Sequence, residues 1–167
     1  GGGWSVAVGV FLGCAALVRP LSVLAVGIVL CAAGLAFGRR GARGILCGAA
    51  GLAVPAALGL YYNKLTTGAA FLPGYLRLWG ASHGLGFHET PWGELHTFGR
   101  GVGSQAADLV RLNEYLFEWP VPALLPLGLY FFFARKAAKY DVLLLAGFFS
   151  IPLAYVFYWH RDAFLGP

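Results

Sequence analysis

The sequence predicts an all-α fold, a polytopic bundle of about five transmembrane helices with one extracytoplasmic loop that contains an interfacial amphipathic helix. Three observations predict it. Of the 167 residues, 59% are hydrophobic and only 11% charged, whereas about a quarter of an ordinary soluble domain is charged. The mean hydropathy is +0.70. The 25 Gly and nine Pro fall inside apolar runs, the usage found where transmembrane helices pack closely and not that of a disordered linker.

Residues 1–62 hold three apolar segments. Trp4 to Val18 meets Arg19-Pro20, after which Leu21 to Phe37 is apolar again and runs into Gly38-Arg39-Arg40-Gly41-Ala42-Arg43. Two short spans joined by an Arg-Pro turn account for this, and one long helix bent at Pro20 is the competing reading. A third span runs from about Gly44 to Tyr62, with a kink expected at Pro55. Residues 63–118 form the polar loop, and residues 119–167 supply a fourth span, Trp119 to Ala134, and a fifth, Val142 to Trp159.

Charge sets the orientation, because short cytoplasmic loops collect Lys and Arg. Loops 39–43 and 135–141 carry six basic residues against one acid, Asp141, while 63–118 carries four basic residues and five acids. The long loop is therefore expected outside, in a multi-pass protein of the plasma membrane. The net charge of +5 is thus a topology signal, and nucleic acid is not an expected partner. Cys14, Cys31 and Cys47 lie in apolar segments, where thiols pack as small inert residues. No disulfide framework, zinc spacing or signal peptide is present. The absence of Met, the Gly1-Gly2-Gly3 start and the stop at Pro167 just after an apolar span predict an internal fragment.

The outer loop divides in two. From Asn63 to Glu89 it is rich in Gly, Pro and aromatic residues and reads as turns. Beyond it, Thr90 as N-cap, Pro91 at the first helical position and Glu94 in the first turn predict a helix. Its apolar stripe is Trp92, Leu95, Phe98, Val102, Ala106, Leu109 and Leu112, opposite Glu94, Arg100, Gln105, Asp108 and Arg111. Such a helix either lies in the membrane interface or caps the protein's own outer surface, and Gly99, Gly101 and Gly103 could interrupt it. His83, His88, Glu89, Glu94 and His96 gather here. They read as solvated interfacial side chains, since polar loop residues need no special reason. The sharper alternative is a cation site or general acid/base work at His88-Glu89, and a divalent cation is the one cofactor that pair admits. Arg19 either snorkels to lipid head groups or faces a cavity as a phosphate partner. Gly9-x-x-x-Gly13 and Gly44-x-x-x-Gly48 read as ordinary bundle packing and imply no oligomeric state. Walker, Gly-x-Ser-x-Gly and His-Glu-x-x-His motifs are absent.

Several short motifs share an order that resembles a known class. They are Leu17-Val18-Arg19-Pro20, Tyr61-Tyr62-Asn63 with Thr67-Gly68, Pro73-Gly74-Tyr75, Gly84-Leu85-Gly86-Phe87, Leu112-Asn113 with Leu116-Phe117 and Trp119-Pro120, and Tyr158-Trp159-His160 before Gly166-Pro167. Together these resemble the middle of bacterial multi-span GT-C glycosyltransferases, the class that includes protein mannosyltransferases and lipid A aminoarabinose transferases. The resemblance implies an inner-membrane enzyme that takes a sugar from a polyprenyl-phosphate donor and transfers it, outside the cytoplasm, to a lipid, glycan or protein acceptor. It places Arg19, Lys64, Arg77 and Arg161 near the donor phosphate, with His83, His88 and Glu89 as acceptor or metal contacts. It also implies that the catalytic acid lies in an earlier outer loop, outside this sequence. Glu118 stands where a small residue is expected before Trp-Pro, and no acid here is assigned as the base. The alternatives from other classes are a transporter or flippase of lipid-linked glycans and a non-catalytic membrane scaffold.

Overall fold

Arg19-Pro20 divides the first apolar run into two helices. The residue before a proline is driven out of the helical region, and Arg19 has φ −136° and ψ 72°. Its amide still closes the last turn of α1 (Gly2–Val18) on Ala15, and its carbonyl accepts the first bond of α2 (Pro20–Ala36) from Val23. The connection is therefore a hairpin and not one bent helix. A computed structural model of the chain describes residues 2–115, 122–133 and 139–159. Among these residues the fold is all-helical, with seven α-helices, one 3-10 turn and no strand.

The second connection is tighter than the sequence suggested. The basic residues Arg39, Arg40 and Arg43 were expected in a loop, yet α3 already begins at Gly38 and runs to Thr67. Phe37 is the only non-helical residue between α2 and α3, and Gly38 takes φ +64°, a left-handed value that suits glycine. The hairpin closes this sharply because Gly34 and Gly41 face each other, and a Cβ on Gly41 would collide with the Gly34 carbonyl. α3 is 30 residues long, about 45 Å at 1.5 Å per residue. It ends at Gly68, whose φ of +85° lets its amide bond the Lys64 carbonyl at 3.1 Å. The outer segment accordingly starts at 68, about one turn later than expected.

Glycine also governs how α1 meets α3. The two run parallel, with Ser5 beside Gly44, Gly9 against Gly48, Gly13 against Pro55 and Leu17 against Gly59. A Cβ on Gly9 would strike the Gly48 carbonyl, and one on Gly13 would lie 2.8 Å from the Pro55 ring. Both Gly-x-x-x-Gly steps thus serve packing inside the chain. Pro55 does not end the helix; it is buried against α1.

Beyond α3 come α4 (Gly74–Trp79), the 3-10 turn Ala81–His83, α5 (Phe98–Tyr115), α6 (Leu125–Phe133) and α7 (Lys139–Tyr155). Asn113 joins α5 to α6: its carbonyl accepts from the Ala123 amide at 2.7 Å and its side-chain oxygen from Leu124 at 2.8 Å, which satisfies two donors that a helix N-terminus leaves open. Tyr130 of α6 donates to Asp141 of α7 at 2.9 Å. α7 packs antiparallel on α2, with Tyr155 beside Ser22 (3.2 Å) at one end and Lys139 over the Phe37 ring (5.0 Å) at the other. The basic residues Arg39, Arg40, Arg43 and Lys139 thereby share one end of the bundle, and the loop with α4 shares the opposite end with Arg19 and Tyr155.

Two spans differ from expectation. Only Leu125–Phe133 of the fourth is described as helix, and residues 119–121 and 134 lie outside the described residues. The fifth leaves the helix at Tyr155, so Val156 to Trp159 belong to the end of the bundle that carries α4 and Arg19. Among the described residues, one helix, Gly38–Thr67, is long and apolar enough to cross a membrane; α1 and α2 are apolar but shorter. The packing is inverted relative to a water-soluble bundle. The buried positions of α1 to α3 are Gly9, Gly13, Ala25, Gly51 and Pro55, while large side chains such as Phe11, Val18 and Leu46 are 72–80% exposed.

Candidate functional site

The amphipathic helix begins later than its sequence suggested. Thr90-Pro91 does not start a helix, because Gly93 at φ +79° ends a turn in which Gly93 N–H bonds Thr90 O and Thr90 N–H bonds Glu94 O. Proline in the second place and glycine in the fourth is the composition of a type I turn, and a left-handed glycine after it makes a short hairpin. Glu89 and Leu95 pair across it, and His96 N–H reaches His88 O at 2.9 Å. α5 starts at Phe98, capped by the Thr97 hydroxyl on the Arg100 amide at 3.3 Å. Gly99, Gly101 and Gly103 do not interrupt it. Phe98, Val102 and Val110 point outward, 44–58% exposed, whereas Gln105, Asp108 and Arg111 on the other face are half-buried and bonded to one another. The apolar stripe is therefore covered in part: Leu109 and Leu112 are half-buried, while Phe98 and Val102 stay open.

The hairpin is tied to the end of α7. His96, 5% exposed, donates from Nε2 to the Val156 carbonyl at 3.0 Å. Gly101 lets α5 come close to that same carbonyl, where a Cβ would collide. Gly86 N–H donates to Phe157 O at 2.8 Å, and the Phe87 ring packs on Phe157, His96 and Phe98.

Around this anchor stands an aromatic array centred on Trp159. Its indole N–H donates to the Ser82 carbonyl, and its ring meets Trp92 edge-on at 5.1 Å, His83 at 5.0 Å and Tyr158 in a stack at 6.0 Å. His83 stacks in turn on Trp79 at 5.5 Å. Burial, followed by the neighbouring Tyr75 and Tyr155, pushes the Tyr158 phenol above its ordinary value, so it stays a neutral donor.

Trp92 and Trp159 wall a pocket of about 280 Å³. Its polar lining is Thr90, Glu94, His96, Arg100 and Ser104. Arg100 holds Glu94 at 3.3 Å and also donates to Leu95 O at 3.1 Å. The pocket thus offers flat apolar walls, an ion pair and two hydroxyls, which suits a small polyhydroxylated ligand and is not arranged for acid/base chemistry.

The sequence-predicted residues are distributed around this pocket but do not line it. Arg19 in the α1–α2 turn, Lys64 in the last turn of α3 and Arg77 in the last turn of α4 are exposed at the same end of the bundle. Among the described residues none of the three side chains makes an ion pair or hydrogen bond. His83 contributes its ring to the aromatic array. His88 has each ring nitrogen facing a backbone carbonyl, Gly84 at 2.8 Å and Glu89 at 3.0 Å, so no nitrogen is left for a cation, and Glu89 is exposed. Among the described residues no three His, Cys, Asp or Glu side chains come together as cation ligands. Arg161 and Glu118 lie outside the described residues. Glu94 and His96 belong to the polar cluster the sequence points to, whereas Trp92, Arg100, Ser104 and Trp159 are not among its site residues, although the density of Trp and His between Trp79 and Phe98 is the available signal. No protein-family model, curated protein or solved structure matches the chain.

Proposed function

We propose that the chain is part of an integral membrane glycosyltransferase that moves a sugar from a polyprenyl-phosphate donor to a lipid, glycan or protein acceptor on the extracytoplasmic side. In this reading α1, α2, α3 and the segments around α6 and α7 cross the membrane as five spans, and α5 lies in the outer interface with Phe98, Val102 and Val110 in lipid. The outward large side chains and glycine-lined interior support it, because lipid makes no demand that apolar groups be hidden. So does the gathering of Arg39, Arg40, Arg43 and Lys139 at the end away from the loop.

The observation that carries the proposal is the pocket between Trp92 and Trp159. A sugar ring has C–H faces that lie well on indole and a rim of hydroxyls that Glu94, Arg100, Thr90 and Ser104 can bond. Its volume, about 280 Å³, fits one such ring near the lower limit of ligand sites. Arg19, Lys64 and Arg77, unpaired at the same end, supply cations for the donor phosphate as the leaving group departs.

The test is transfer of radiolabelled sugar from a polyprenyl-phosphate donor by membranes carrying the full-length protein of which the chain is proposed to be part. Label should reach a membrane or extracytoplasmic acceptor, and Trp92→Ala and Trp159→Ala should each abolish most of it. Unchanged transfer in both variants would overturn the sugar-pocket assignment, and no transfer to any acceptor would overturn the enzyme. A second reading, a transporter of lipid-linked glycans, draws support from Glu94 being held by Arg100, which leaves the pocket fitted for binding alone. Flipping of a labelled lipid-linked glycan in sealed vesicles without transfer would favour it.

A further inference from the structure

A larger cleft lies far from the pocket. A groove of about 840 Å³ opens between α1 and α2, floored by α3. Trp4 and Leu12 line one wall, Gly27 and Leu30 the other, and Phe37 and Arg40 form the mouth. Arg40 is the one charged side chain among the described lining residues, and the walls are otherwise apolar or small. The floor is sealed by the Gly9–Gly48 and Gly34–Gly41 approaches described above, so the groove is a trough and not a gap between separated helices.

We propose that this groove holds one acyl chain of an anionic phospholipid drawn from the leaflet at the Arg40 end, with Arg40 on its phosphate. The inference rests on the membrane reading above but not on sugar transfer. Its depth supports it: the lining of α3 runs from Arg40 to Leu52, about 18 Å of helix, against about 15 Å for half a bilayer's hydrocarbon core. Charge supports it as well. Arg40 stands at the mouth, Lys139 sits 5.0 Å over the Phe37 ring beside it, and Arg39 and Arg43 lie exposed in the same turns. Asp141, the one acid at this end among the described residues, is occupied by the Tyr130 hydroxyl. A zwitterionic head group brings its own cation beside the phosphate, so an anionic one answers the basic charge at the mouth better.

Trp4 lines the groove but is 80% exposed, so bulk lipid quenches it too and the difference between an anionic and a zwitterionic quencher is what reports on occupancy. The full chain is placed in phosphatidylcholine vesicles containing either dibrominated phosphatidylglycerol or dibrominated phosphatidylcholine, and the quenching due to Trp4 is taken as the difference from Trp4→Phe. Phosphatidylglycerol should quench Trp4 at about a fivefold lower fraction, the ratio that corresponds to about 1 kcal/mol for one basic side chain near anionic lipid. Arg40→Gln should bring the two lipids to parity. Gly27→Leu, at a position where a Cβ meets nothing within 4 Å, should fill the groove and remove the preference for phosphatidylglycerol, leaving only the quenching by surrounding lipid. Equal quenching by the two lipids in the unaltered chain, or a phosphatidylglycerol preference that survives Arg40→Gln, would overturn the proposal. So would a Trp4 left unquenched while other tryptophans are quenched, since protein would then cover the groove. If none of the five Trp is quenched by either lipid, the membrane reading itself fails.

Discussion

His96 and Val156, 60 residues apart in sequence, are joined by a buried hydrogen bond from imidazole Nε2 to a carbonyl that α7 leaves open at its C-terminal end. Both residues are almost fully enclosed, at 5% and 4% exposure. The last carbonyls of a helix need partners from elsewhere, and here the partner comes from the short hairpin that forms the pocket. Trp92 arrives on that hairpin and Trp159 leaves from the end of α7, so this bond keeps the two indole walls in register.

Replacing His96 by Ala should therefore open the pocket without melting the bundle. A buried carbonyl left without a donor costs about 1–3 kcal/mol, and the lost ring also removes its packing on Phe87. Hydrogen exchange should quicken at the amides of Thr90, Gly93 and His96 and stay slow in α1 and α3. Gln at the same position can still donate and should restore much of the protection. Unchanged exchange in His96→Ala would show that the hairpin holds by its own turn.

How much of this was legible in the sequence depended on how local the deciding force was. The Arg19-Pro20 hairpin was readable because the restriction on a residue before proline acts within one dipeptide. The basic ends were readable because charge needs no contact partner. The start of α5 falls seven residues after the expected one, Phe98 against Pro91, since Pro91 suits a turn as well as a first helical turn and the left-handed Gly93 decides between them. The Arg39–Arg43 segment was taken for a loop because the Gly34–Gly41 approach that closes the hairpin is a contact between two helices. The pocket was the least readable, because Trp92 and Trp159 are brought together by long-range contacts, the His96–Val156 bond, the Gly86–Phe157 bond and the close approach at Gly101, and no spacing in the chain announces them.

Small residues at the helix contacts should be sensitive in proportion to what their Cβ would meet. Gly9→Ala drives a methyl into the Gly48 carbonyl and should destabilise the α1–α3 pair by about 1–3 kcal/mol, the usual range for overpacking. Gly27→Ala meets open space and should be neutral or stabilising by up to about 1 kcal/mol, because alanine is the better helix former. Thermal unfolding in detergent compares them. Equal effects would mean that α1 and α3 do not approach at these glycines.

The Tyr158 phenol provides a pH signature of the aromatic array. Burial and two neighbouring phenols raise it, so the neutral form is the one the fold favours. Its contribution to stability is complete below the ordinary phenol value of about 10 and is lost as pH rises through the raised value. Alkaline titration of tyrosinate absorbance should show a component above that of exposed tyrosines that is lost in Tyr158→Phe. A difference centred at or below the ordinary value would mean that the array is open to water.

Arg19 and Arg39 give the sharpest test of the proposed donor site, since both are exposed arginines and differ chiefly in which end of the bundle they occupy. Arg19 lies in the turn on the side of the Trp92–Trp159 pocket, and Arg39 in the first turn of α3 on the far side. A hydrogen bond to a charged group is worth about 1.5–3 kcal/mol, so Arg19→Ala should raise the KM for a polyprenyl-phosphate donor at least about tenfold and Arg39→Ala should leave it unchanged. Arg19→Lys should fall between, because lysine keeps the charge but loses the two-pronged geometry that grips a phosphate. If Lys is as good as Arg, the side chain acts as a diffuse charge on lipid head groups and not as a phosphate clamp. If both alanine variants weaken the donor equally, either the donor does not bind at the loop end or the two arginines do not lie on opposite sides of the membrane.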